Sequence, residues 1–228
     1  RDQPRSRGLG DVYKRQGTAG TVGVQGTQAV GGLQFVTDGY QLTDAGAGTL
    51  SITTPLTAVR VDPNATATLD VGISGAGGLE KVDTGTLVLD AANSYTGGTT
   101  LSGGTLVLGD AQALGTGALT TANGTTLDTN QALAVGNAVG LNGALSIAGS
   151  NDLALNGAIT GAGSLIKNGT TTLTLDGANG YAGGTVLNAG TLAVGNNTAL
   201  GGGSLDVIGT STLSNAVAVA LGNAVTLN

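Results

Sequence analysis

The chain has 228 residues, of which 43 are Gly and five aromatic (four Tyr and one Phe), with no Cys, His, Met or Trp and a formal net charge of −6. Helical bundles are excluded, because each Gly costs a helix about 1 kcal/mol relative to Ala, and thiol, imidazole and Cys/His metal chemistry lack their residues. Collagen is excluded because Gly does not recur every third residue, and 40% hydrophobic with 10% charged residues is the reverse of a disordered composition.

Residues 1–16, RDQPRSRGLGDVYKRQ, differ from the rest. They hold five of the eight basic residues (Arg1, Arg5, Arg7, Lys14 and Arg15) and are expected to be a non-native leader, set aside from fold reasoning. Residues 17–228 then carry 3 basic against 12 acidic residues, a net of −9. Such a surface repels nucleic acid and anionic lipid, so no nucleic-acid partner is expected. No run of about 18 apolar residues occurs, so no transmembrane helix is expected.

Residues 17–72 are read as N-terminal coils of the architecture that follows. Residues 73–142 align without a gap with 159–228, at a shift of 86, with 37 of 70 pairs identical. The units are 73–158 and a truncated 159–228. Within them Gly followed within three residues by Leu recurs at Gly85, Gly104, Gly124, Gly143 and Gly163, in steps of 19, 20, 19 and 20. Short alternating runs accompany it: Thr86–Leu89, Thr105–Leu108, Leu145–Ile147, Leu153–Leu155 and Leu173–Leu175. Period two places Leu, Val and Ile inside and Thr, Ser or Asn outside. Runs this short suit one side of a coil and not a sandwich strand. The spacing predicts an all-β parallel β-solenoid of about 20 residues per rung. About ten rungs at about 4.8 Å each give a rod of about 50 Å. Gly and Asn are expected at corners, and the interior is expected to be too narrow for aromatics.

Candidate chemistry falls on repeat-equivalent pairs. Asp90 and Asp176 each end a strand-like run. As a carboxylate pair they would lie about four rungs apart, too far for a glycosidase, so turn-fixing bonds are expected of them. Tyr95 and Tyr181, in N-x-Y-x-G-G-T, are expected to pack over the adjacent Gly-Gly turn and not to stack on sugars. Lys81 and Lys167 have no phosphate-binding loop around them and read as structural or solvated. The stretch GGGSLD at 201–206 fails the calcium nonapeptide at Ser204. No catalytic, cofactor-binding or metal-binding residue is therefore assigned, and no cofactor is expected. The four glycosylation sequons, at Asn64, Asn123, Asn168 and Asn196, match the number that composition alone produces.

The blocks GAGGLEKVDTGTLVLDAANSYTGGTTLSGGTL (75–106) and GAGSLIKNGTTTLTLDGANGYAGGTVLNAGTL (161–192) resemble the autotransporter-associated β-strand repeat. The run at 26–52 resembles the segment that often precedes it. The resemblance implies a right-handed parallel β-helix in the secreted passenger of a Gram-negative type V system, displayed at the outer membrane and followed in its parent protein by a C-terminal β-barrel. It implies a non-catalytic role in passenger folding, secretion and surface display. Adhesion to host cells, matrix or glycans and a part in virulence belong to the same expectation. End-to-end self-association through open strand edges is also expected. The rival is a fragment of a polysaccharide-active β-helix enzyme, which three Asp gathered on one groove would favour.

Overall fold

The computed structural model describes residues 19–215 and 217–228. The expected leader lies outside them. The described chain forms 26 short strands, and successive coils stack them in parallel, Thr86–Leu89 on Thr105–Leu108 for example. This is the β-solenoid that the 20-residue spacing predicts, with about ten turns.

Each full coil has three sides. The first is an eleven-stranded sheet. The second consists of a three-stranded sheet and, further along the chain, a five-stranded one. The third is a seven-stranded sheet. Residues 145–161 show one coil: Leu145–Ile147 on the first side, Leu153–Leu155 on the second and Ile159–Gly161 on the third. Alternation then decides burial. Ala67, Leu87, Leu106, Leu127 and Ile147 stack in one register column and are almost fully buried. Burying each Leu stabilises the fold by about 1.5–3 kcal/mol.

The 86-residue repeat is not a whole number of coils. Thr86 is followed on the first side by Thr105, Thr126, Ser146 and Ile166, one per coil. Thr172, the repeat partner of Thr86, lies on the second side, one residue before the Leu153↔Leu173 pair. Four coils therefore leave a remainder of one side. The first copy runs third side, first side, a strandless stretch across the second, then third. The second copy runs first, second, a strandless stretch across the third, then first. A triangular coil tolerates this because every side presents the same inward-outward alternation.

Two expectations about the interior are corrected. Phe35, Tyr40, Tyr95 and Tyr181 are all buried, so the coil does hold aromatics, with Ala67 in register with Tyr40 and Gly115 and Gly201 beside the rings of Tyr95 and Tyr181. Polar residues are not confined to the outside: Asn93, Asn179, Thr99, Thr121 and Thr185 are buried too. Corners behave as expected. Gly104, Gly124 and Gly190 have φ of 67°, 76° and 73°, and Asn64 and Asp83 have 63° and 65°. Non-Gly residues rarely adopt that region, and Asn and Asp are the most tolerant of it. Among the described residues no helix is long and apolar enough to cross a membrane.

Candidate functional site

Lys81 and Lys167 are inside the rod. Lys81 continues an inward column, between Val59 and Leu101, and is fully buried. Its ammonium donates to the carbonyls of Val82 (2.9 Å), Asp83 (2.7 Å) and Gly103 (3.2 Å). Three donors thus meet three acceptors, and the third lies one coil on. Lys167 repeats the cage with Asn168, Gly169 (3.0 Å) and Ala189 (3.4 Å). Burial pushes Lys81 down to about 8, with the Asp83 carboxylate opposing the shift. Lys167 is lowered for the same reason, against Asp152. In G-x-L-x-K the Lys shares the parity of the inward Leu, a signal that the sequence reading passed over.

Asn93 also ties coils together. Its Oδ1 accepts from Ile73 N–H (2.7 Å), and its Nδ2 donates to the Ala113 carbonyl (2.6 Å). Those partners lie 20 residues before and after it. Asn179 does the same between Ile159 (2.8 Å) and Ala199 (2.7 Å). Tyr95 and Tyr181 point into the core. Their hydroxyls pair with Thr99 and Thr185, each at 2.5 Å. Burial raises Tyr95 to about 12, against the Thr99 hydrogen bond, and Tyr181 shifts the same way. The ring of Tyr95 crowds Gly115 of the next coil, where a Cβ would come 3.2 Å from ring atoms.

The carboxylates are gathered more than the sequence reading expected. Asp90 follows Leu89, and Leu89 is in register with Leu69, so Asp70 and Asp90 are neighbours on one edge. That edge is where the chain leaves the first side. Asp44 and Asp110 occupy it in other coils, Asp128 stands just before it within the strand Thr125–Thr129, and Asp152 just after it where the second side begins, so each of six successive coils has one carboxylate at or beside this edge. Most of them fix turns. Asp44 accepts from Gly46 (2.7 Å) and Gly48 (2.6 Å), and those bonds lower its pKa. Asp110 accepts from Gln112 N–H, Asp128 from the Ser150 N–H and hydroxyl, and Asp152 from Thr172 N–H. Asp90 accepts from Asn130 Nδ2 at 2.8 Å, two coils on. Its Oδ1 also lies 1.8 Å from where a Cβ on Gly109 would stand. Asp176 is on a different side from Asp90 because the repeat advances by one side, so the two do not meet. A glycosidase needs one carboxyl kept protonated in an apolar setting, whereas Asp44, Asp70 and Asp152 are exposed to solvent. Among the described residues no group of three His, Cys, Asp or Glu is placed to hold a metal ion.

The family model described as passenger-associated-transport-repeat matches residues 79–108 and 165–194. Each match spans one Lys cage, one Asn bridge and one buried Tyr. The chain is 38% identical over 210 residues to the adhesin BmaC autotransporter of Brucella suis biovar 1 (strain 1330), an alignment covering 79% of this chain and 6% of that protein. The chain thus spans a small part of the relative's length. No solved structure matches it.

Proposed function

From the premise that this chain is an autotransporter passenger segment carrying passenger-associated transport repeats, and related to an adhesin, we propose that it is a non-catalytic length of stalk. It supports folding and export of the passenger, holds it at the Gram-negative cell surface, and contributes to adhesion. The observation that carries this reading is that the matched segments hold the bonds joining one coil to the next. Lys81, Asn93, Lys167 and Asn179 all bond to residues 20–22 positions away.

Such a chain folds by adding one coil to the last, without waiting for distant contacts. A chain emerging at the surface is then held outside by each coil it completes. The absence of Cys suits passage of an unfolded chain, since no disulfide loop forms on the way. The test places Pro at outward strand positions, Val88→Pro with Val186→Pro, in the parent protein. Pro removes a ladder hydrogen bond from a central strand. Surface-exposed passenger, measured by antibody on intact cells, should fall while total synthesis stays constant. Display at the unaltered level would refute the proposal.

A further inference from the structure

The second side carries a surface feature that the stalk role does not use. A shallow trough of about 390 Å³ crosses three coils there, lined by Leu133, Ala134, Leu153, Ala154, Thr174 and Asp152 among others. Ala134, Ala154 and Thr174 are outward neighbours in one register column, so its floor is of short side chains. Asp152 stands at its rim, beside the edge that carries Asp110 and the earlier carboxylates, and Asp128 accepts from Ser150 two residues before it.

Among the described residues no cation forms an ion pair on that edge, and Lys167 acts on Asp152 only from inside the rod. The described residues include three basic side chains. Lys81 and Lys167 are enclosed by backbone carbonyls, and Arg60 pairs with Asp83 at 3.0 Å, on the edge between the third and first sides. A row of carboxylates without ion-pair partners among the described residues, beside an apolar trough, selects its partner by charge. Nucleic acid and acidic glycans are repelled, and so is a second copy of this chain.

We propose that the trough and its carboxylate edge form a docking surface for a basic polypeptide segment. Its Lys or Arg side chains face Asp128 and Asp152, and small apolar side chains fill the trough. This deepens the adhesion part of the reading above and rests on it only for where the partner is met. Binding is measured on the purified chain, so a failure of docking and a failure of display are separate results.

The probe is a fluorescent peptide of about ten residues alternating Lys and Val, titrated by anisotropy. The affinity should fall at least about tenfold when Val is replaced by Ser, and similarly between about 0.05 M and 0.5 M salt, where surface charges are screened. Asp128→Asn with Asp152→Asn keeps an acceptor oxygen at each turn and removes the charge. It should weaken binding about fivefold or more, as should Ala134→Arg. A paramagnetic label on the peptide should broaden NMR signals of Ala134, Ala154 and Thr174 in the unaltered chain, a readout that needs no variant. Equal binding of the Lys-Ser peptide, indifference to Ala134→Arg, broadening elsewhere on the rod, or no binding would each overturn the proposal. Chitosan oligomers binding as tightly as the peptide would overturn the assignment to polypeptide.

Discussion

Replacing Asn93 by Ala tests the link between coils most sharply. The side chain is 5% exposed and joins three coils through Ile73 N–H and the Ala113 carbonyl. Truncation leaves one donor and one acceptor buried without partners. Each orphaned group costs about 1–3 kcal/mol, which bounds the loss at about 2–6 kcal/mol. The vacated space admits water, so the lower half of that range is the expectation. Urea unfolding followed by circular dichroism gives the global loss, and amide exchange at Ile73 shows whether it is local to that bond. Asn179→Ala should behave alike, since its two bonds have nearly the same lengths. A loss below about 0.5 kcal/mol, or unchanged exchange at Ile73, would refute the reasoning.

Lys81 predicts a pH dependence. Its folded value of about 8 lies below the ordinary 10.5, so between those pH values the unfolded chain keeps a proton that the folded chain has released. Stability relative to Lys81→Met should therefore rise with pH through that window, and a flat or falling difference in urea midpoints would contradict it. Gly109→Ala drives a Cβ into the Asp90 carboxylate and should destabilise by about 1–3 kcal/mol. Adding Asp90→Ala should restore part of that loss, and no restoration would mean that the clash lies elsewhere. Replacing Tyr95 by Phe removes the hydrogen bond to Thr99 and strands the Thr hydroxyl. A loss of about 1–2 kcal/mol is expected in thermal unfolding, against no change if the hydroxyl finds another partner.

The coarse architecture was legible in the sequence because one physical rule wrote it repeatedly. Alternation of Leu with Thr and the 19–20-residue Gly spacing together require stacked parallel coils. What escaped was what depends on how the coil is divided. The shift of 86 exceeds four coils by a remainder that has meaning only once a coil is known to have three sides. That remainder moves Asp176 and Tyr181 to sides different from those of Asp90 and Tyr95. Asn is expected at corners, since Asn near Gly usually marks a turn, and nothing local marks Asn93 as a bridge between coils. The carboxylate edge had a signal: Asp70, Asp90 and Asp110 recur every 20 residues, the same period as the Gly.

The placement of every bridge and carboxylate follows from the stacking register, including the advance of one side between repeats. The chain has no Cys, so introduced pairs report cleanly. Val88→Cys with Val107→Cys joins register neighbours on the first side, and Ala154→Cys with Thr174→Cys joins neighbours on the second. Stacked strands lie about 4.8 Å apart, within disulfide reach. The account predicts that both pairs close on mild oxidation while Ser146→Cys with Thr174→Cys does not. Closure of the Ser146–Thr174 pair and failure of the Ala154–Thr174 pair would place residues 172–175 on the first side and contradict it.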